Sequence, residues 1–153
     1  MQPNLTMAQP CATLLCDVDG VIADIHPIWL EFYNADYGDD KTVDDITCWD
    51  MHECVKPECG RGIYDYLRDP RLYNWTRPVP GALDAVRELR AMGVRVVFVS
   101  ATVTAQMENK PRWLVRHQFT VELSGYTAEY IPTVDKDLIH GDFLVDDCLA
   151  NLE

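Results

Sequence analysis

The sequence predicts an α/β fold: a doubly wound, mainly parallel sheet with a small α-helical cap inserted after the first strand. Three observations predict it. The apolar run from Ala12 to Cys16 stops at Asp17-Val18-Asp19-Gly20. The β-branched run from Val94 to Val99 stops at Ser100-Ala101-Thr102. Phe143-Leu144-Val145 stops at Asp146-Asp147. Near-continuous apolar strands suit a parallel sheet covered on both faces. In an open α/β sheet, ligands bind at the carboxyl ends of the strands.

At 153 residues the chain is one domain with room for a small insertion. It is 48% hydrophobic and 25% charged, as in ordinary globular proteins. The net charge of −12 and pI near 4.6 oppose binding to nucleic acid or anionic membrane. No apolar run reaches the roughly 18 residues of a membrane span. No basic segment followed by a long apolar core marks a secretion signal, so the expected location is cytoplasmic. Asn4-Leu5-Thr6 matches a glycosylation sequon, which has no weight without such a signal. Six cysteines in this setting read as thiols rather than a disulfide framework.

Residues 1–11 are polar, hold two prolines and show no periodicity; they are expected to be a loose tail. The first strand covers 12–17. Pro27, Ile28, Trp29, Leu30, Phe32 and Tyr33 lie on a helix that Gly38 ends. An acidic connection follows, then a second helix over 58–67, which Arg68-Asp69-Pro70 breaks. The stretch 24–77 is far longer than the roughly 2–6 residues usual for a βα loop. Its aromatic content suggests a helical cap over the strand ends. The core then comprises residues 12–23 and 78–153.

Ala82, Ala85, Val86, Leu89 and Met92 fall at helical spacing, with Gly93 as terminator. The second core strand follows. Another helix spans 106–118, its true start set near Lys110 by Pro111. A short third strand is expected at 120–123, and the last strand is 143–145.

The chemistry follows from the strand ends. In Asp-x-Asp, one carboxylate can attack phosphorus while the other carries a proton for the leaving group. Gly20 lets the chain turn sharply. Asp146 and Asp147 end a second strand. Four carboxylates at one sheet edge repel each other unless a cation sits among them, and Mg²⁺ suits oxygen ligands. Lys136 supplies positive charge. Taken alone, Ser100 reads as a helix-cap or turn residue.

In order, Asp17-x-Asp19-Gly20, Ser100, Lys136 and Asp146-Asp147 resemble the motifs of haloacid dehalogenase (HAD) superfamily phosphatases, which carry a Rossmann-like sheet. Within it, Asp17 to Asp24, Arg77 to Ala82, Lys110-Pro111-Arg112-Trp113-Leu114 and the Lys136-to-Asp146 spacing are similar to the 5′(3′)-deoxyribonucleotidases. The resemblance covers residues 12–151. It implies Asp17 as nucleophile, forming an aspartyl-phosphate, and Asp19 as acid and base. It implies Mg²⁺ held by Asp17, the Asp19 carbonyl and the Asp146/Asp147 pair. Ser100, Ala101, Lys136 and Gly20 would surround the phosphoryl group. The implied substrate is a small phosphomonoester, a nucleoside monophosphate. Other readings are a phosphatase for another small phosphomonoester or a polynucleotide 3′-phosphate, or a degenerate binding module.

Two departures stand out. The family usually continues past the acid pair into a further strand and helix, whereas this sequence stops at Glu153. Either the sheet lacks an edge strand or the sequence is truncated, and an open edge invites a partner, such as a second copy in a homodimer. The cap does not match the family's base pocket residue by residue. From aromatic content and position, Trp29, Trp49, Tyr73 and Trp75 are candidates to stack on a base. Cys48, His52, Cys54 and Cys59 form C-x₃-H-x-C-x₄-C, which lacks the usual zinc knuckle, so unmetallated thiols are expected.

Overall fold

The structure is a computed structural model that describes residues 10–152. The expected tail at 1–11, save its last two residues, and the Asn4 sequon lie outside the described residues. In chain order the elements are β1 (Ala12–Cys16), β2 (Ala23–Asp24), α1 (His26–Tyr37), α2 (Arg71–Trp75), β3 (Arg77–Pro78), α3 (Ala82–Ala91), β4 (Val94–Ser100), α4 (Asn109–Arg116), β5 (Glu122–Leu123), β6 (Tyr126–Thr127), β7 (Tyr130–Pro132) and β8 (Phe143–Val145).

The main sheet is four parallel strands in the order β7-β4-β1-β8. The chain steps outward from β1 to β4 to β7, then doubles back to place β8 on the other side of β1. The direction of winding therefore reverses at β1 and β8. The return crosses the second face of the sheet, where Ile139 packs on Leu15, Val97 and Val99. On the first face, Val96 and Phe98 are fully buried against Val86 of α3 and Trp113 and Leu114 of α4. Each such side chain contributes about 1.5–3 kcal/mol by leaving water. The strand alternation thus feeds two clusters, as a sheet covered on both faces requires.

The cap elements join the larger cluster. Pro27 sits in the first turn of α1, where a missing N–H does no harm, and Gly38 ends the helix at φ 56°. The helix buries Trp29, Leu30, Phe32 and Tyr33. The helix expected over 58–67 is instead a nine-residue 3₁₀ segment, Gly60–Arg68. Gly60 and Gly62 weaken a regular α-helix there, and Ile63 alone is buried in it. Arg71–Trp75 is one short helix that buries Leu72 and Tyr73.

One strand is misplaced in the sequence reading. Residues 122–123 pair with 126–127 in a small hairpin apart from the main sheet. Ser124 and Gly125 both have positive φ, 51° and 84°, the geometry of a tight two-residue hairpin turn. Val121 and Leu123 stay exposed. The third strand of the sheet is Tyr130–Pro132, paired with Phe98–Ser100. Pro132 fits there because β7 is an edge.

Candidate active site

Register builds the site. Cys16 pairs with Val145 in the parallel β1–β8 ladder, so the next residues, Asp17 and Asp146, leave the sheet side by side. The Asp17 N–H donates to the Val145 carbonyl at 2.9 Å and fixes that exit. On the other flank Cys16 pairs with Phe98, which puts Ser100 at the same edge. The acids thus meet where the winding reverses.

Lys136 begins a 3₁₀ turn and is buried, with Nζ 3.1 Å from Asp17 Oδ1 and hydrogen-bonded to Asp146. The Asp146 side chain is wholly shielded. It also accepts from the Cys148 N–H at 2.9 Å and the Asn151 amide at 3.0 Å. Burial pushes the Asp146 carboxyl up, but the Lys136 hydrogen bond and these donors hold it below its ordinary value. Burial also opposes the charge of Lys136, yet its hydrogen bond to Asp146 and the charges of Asp17 and Asp146 hold its ammonium above the ordinary value. Asp17 goes the other way: burial raises its carboxyl more than Lys136 lowers it. Asp147 is pushed up to about 6, by burial first and then by the charges of Asp17 and Asp146.

Carboxylate oxygens of Asp17, Asp146 and Asp147 lie within 4.8 Å of one another. Asp17 Oδ1 is buried and receives no directed hydrogen bond, although the Lys136 ammonium is close. A shielded acceptor without a donor, in a set of hard oxygens with surplus negative charge, fits a hard divalent cation. Gly20 belongs to this arrangement through its bareness. It has φ +73°, and a Cβ there would fall 2.0 Å from Asp147 Oδ2. Its N–H donates to the Ala23 carbonyl at 3.0 Å.

The second acid has different company. Asp19 Oδ1 accepts from the Tyr73 hydroxyl at 2.5 Å and Oδ2 from Lys110 Nζ at 2.7 Å. Lys110 is 2% exposed and also donates to Ser100 Oγ at 2.9 Å and the Ala101 carbonyl at 2.8 Å. One ammonium therefore ties α4 to the ends of β1 and β4. Sequence reasoning used Lys110 only as part of a helix motif. The signal was there: Lys110, Trp113 and Leu114 have i, i+3, i+4 spacing, which puts this lysine on the buried face of α4.

Above the acids opens a cavity of about 610 Å³. Asp17, Asp19, Ser100, Ala101, Lys136, Asp146 and Asp147 line one side. Ile25, Trp29, Ile46, Trp49, Met51, Tyr64 and Leu67 line the other. Of the four aromatic candidates, Trp49 and Trp29 reach this cavity. Trp49 is 63% exposed, whereas Trp29 is buried and its indole N–H donates to the Ile63 carbonyl at 2.7 Å. Tyr73 is spent on Asp19 and does not line the cavity. Trp75 lines a separate cleft with Arg77, Arg116 and His117 and packs on Phe32, so it is not brought to this cavity. The Cys/His group is dispersed too. Cys48 and Cys54 meet each other, His52 faces the Tyr64 hydroxyl at 3.2 Å, and Cys59 is buried beside Tyr37. Among the described residues, the group able to hold a metal is the aspartate set.

The reversal of winding and the acids gathered there define the class, that of α/β proteins with a binding site at the carboxyl ends of parallel strands. Residues 11–153 match the model of a family described as "5′ nucleotidase, deoxy (Pyrimidine), cytosolic type C protein", and the chain belongs to this family of nucleotide phosphatases. It is 35% identical over 141 residues to the 5′(3′)-deoxyribonucleotidase of Clostridium acetobutylicum, covering 92% of this chain and 76% of that one. It is 26% identical over 143 residues to the human 5′(3′)-deoxyribonucleotidase, cytosolic type, covering 88% of this chain and 69% of that one. Among solved structures, a HAD family hydrolase from Deinococcus radiodurans R1 aligns with 18% identity and a TM-score of 0.49. That alignment covers 81% of this chain and 58% of the other.

Proposed function

We propose that the protein is a Mg²⁺-dependent phosphomonoester hydrolase that converts deoxynucleoside 5′-monophosphates to nucleoside and phosphate through an aspartyl-phosphate. The observation that carries this reading is the meeting of Asp17, Lys136, Asp146 and Asp147 at the winding reversal, beneath a cavity whose far side is apolar. Phosphoryl transfer is chiefly positioning and charge stabilisation, and this edge supplies both. The relatives' names point to the deoxynucleotide.

Asp17, Asp146 and Asp147, with the Asp19 carbonyl, would hold the Mg²⁺. When bound, Mg²⁺ neutralises phosphoryl charge and offsets the crowded carboxylates. Asp17 attacks phosphorus, and its carboxylate oxygen takes the phosphoryl group. Asp19 gives a proton to the leaving alkoxide, then takes one from the water that cleaves the aspartyl-phosphate. Tyr73 and Lys110 hold both Asp19 oxygens, so the acid is oriented before substrate arrives. Lys136 and Ser100, with Ala101, face the phosphoryl oxygens. Trp49 and Trp29 form the base-facing wall.

The same proposal divides the chain into a core, residues 12–23 and 78–153, and a cap, residues 24–77. It sets the enzyme in the cytoplasm, in keeping with six free thiols and with the name of the human relative. Among the described residues no helix is long and apolar enough to cross a membrane. The partner is a small molecule, with no role for nucleic acid or membrane. A homodimer over the β8 edge, where Phe143 and Val145 are exposed, completes it and is checked by sedimentation.

The test is phosphate release from nucleoside monophosphates and sugar phosphates, with Mg²⁺ and with EDTA. Metal-dependent release concentrated on deoxynucleoside monophosphates is expected. Release from sugar phosphates alone would discard the nucleotide reading.

A further inference from the structure

Two sulfur atoms meet beside the cavity, one of them on a residue that lines it. Cys48 Sγ and Cys54 Sγ are 3.4 Å apart, with five residues between them, and neither is deeply buried. A 3₁₀ turn, Met51–Glu53, closes the segment. The Glu53 N–H donates to the Asp50 carbonyl at 2.9 Å, and the Cys54 N–H to the Met51 carbonyl at 3.0 Å. Cys48, Trp49 and Met51 of this segment line the cavity.

We propose that Cys48 and Cys54 form an oxidisable dithiol that a hydroperoxide converts to an intramolecular disulfide, fixing the wall that carries Trp49. The sulfurs need to approach by only about 1.4 Å to reach bonding distance. The ends of the segment are already held together by the turn, so little chain entropy opposes closure.

The two thiols are unequal. Burial opposes ionisation of Cys54, but hydrogen bonds from Thr47 and Cys48 hold its thiol below the ordinary value. Cys48 is pushed up to about 11 by its hydrogen bond to Cys54, by burial and by the charges of Cys54 and Glu53. That division suits an attacking thiolate and a resolving thiol. The Cys54 thiolate attacks the outer oxygen of the hydroperoxide. The O–O bond breaks, the alkoxide leaves and takes a proton as alcohol, and Cys54 becomes a sulfenic acid. Cys48 sulfur then displaces that hydroxyl. Its own proton leaves with the hydroxyl as water, and the S–S bond forms. Two thiols and one hydroperoxide thus give one disulfide, one alcohol and one water. A thiol reductant reverses the step.

The consequence for substrate rests on the reading of this cavity as the nucleotide site. A cross-linked turn cannot adjust Trp49 to a bound base, so oxidation is expected to raise KM. It leaves kcat nearly unchanged, because the carboxylates stand on other elements.

The experiment treats the full chain with a small excess of hydrogen peroxide, blocks remaining thiols with N-ethylmaleimide, and maps peptides by mass. A Cys48–Cys54 disulfide that dithiothreitol reverses is expected. It should persist in Cys59→Ser and vanish in Cys54→Ser. Cys48→Ser should stop at a sulfenic acid that dimedone traps on Cys54. In wild type, KM for a deoxynucleoside monophosphate should rise at least about threefold, with kcat within about twofold. Absence of the disulfide, a bridge to Cys59 in its place, or an unchanged KM in fully oxidised protein would overturn the proposal. Stoichiometric zinc that protects both thiols would overturn it as well. A protein without phosphatase activity would defeat the substrate reading alone, because peptide masses decide the disulfide without turnover.

Discussion

Two buried lysines serve the two aspartates of the Asp-x-Asp turn, and their surroundings differ in charge. Lys136 faces Asp17 and Asp146, with Asp147 beside them, so one ammonium confronts three carboxylates. Lys110 faces one carboxylate, Asp19, and its other partners are the Ser100 hydroxyl and the Ala101 carbonyl. The first region is short of positive charge and the second is balanced. A deficit of this kind is where a cation binds. A balanced, fully hydrogen-bonded network instead holds geometry. The difference teaches that adjacent acids in one turn can be prepared for different tasks by what the neighbouring strands and helices bring.

The largest effect is expected at the nucleophile. Asp17→Asn keeps the shape but removes the attacking charge, so kcat should fall at least about 10³-fold. Single-turnover phosphate release measures it. Near-native activity would end the assignment of Asp17 and with it the contrast between the two acids.

The lysines test the contrast directly. Lys110→Met should lower kcat about 10²-fold and leave Mg²⁺ affinity unchanged, since it frees the Asp19 side chain but not the proposed ligand atoms, the Asp17, Asp146 and Asp147 carboxylates and the Asp19 backbone carbonyl. It should also lower stability by roughly 1–3 kcal/mol, because Asp19 and Ser100 lose a buried partner. Lys136→Met removes the ammonium that competes with the cation. Its Mg²⁺ affinity, read by calorimetry, should rise about tenfold or more even as turnover falls. Equal effects of both changes on Mg²⁺ affinity would show that the regions are electrostatically alike.

Asp147 sharpens the same point through stability. Its carboxyl is pushed from the ordinary 3.8 to about 6. An acid raised in this way contributes stability below its unfolded value that is lost as pH rises through its folded value. In EDTA, thermal stability should therefore fall between about pH 4 and pH 6, and Asp147→Asn should flatten that fall. At pH 7 in EDTA the variant should melt above wild type. Saturating Mg²⁺ should reverse the order, because metal at about 100 times its Kd adds roughly 2.7 kcal/mol to the protein that binds it. Calorimetric melts across pH, with and without Mg²⁺, decide the matter.

Much of this arrangement could be read from the sequence, for a physical reason. Apolar runs that stop at acids are local patterns. Once β1 and β8 are parallel neighbours, register alone aligns Asp17 with Asp146. The strand Tyr130–Pro132 was not legible, because three residues carry too little periodicity and the nearby Val121–Leu123 run is equally apolar. The 3₁₀ character of Gly60–Arg68 depended on two glycines within an otherwise helical pattern. Lys110 and Tyr73 were hidden for another reason. In the sequence Lys110 reads only as part of a helix motif and Tyr73 as a ring to stack on a base. Only tertiary packing, across 91 and 54 residues of chain, reveals that both hold Asp19.

The smallest effect separates the two exposed tryptophans, one on each side of the cap. Trp49 projects into the cavity above the acids, whereas Trp75 sits in the other cleft against Phe32, with the Arg71 guanidinium 5.5 Å from its ring. Stacking of a base on an aromatic ring contributes about 1–3 kcal/mol. Trp49 is 63% exposed, so the lower end applies, and Trp49→Ala should raise KM for deoxynucleoside monophosphates about three- to tenfold with kcat little changed. Trp75→Ala should leave KM alone and lower stability by roughly 1 kcal/mol through lost packing and the lost cation–π contact. Equal KM values for both variants and wild type would mean that base contacts come from the buried wall around Trp29 and Tyr64. In that case Trp49 would only close the cavity to water.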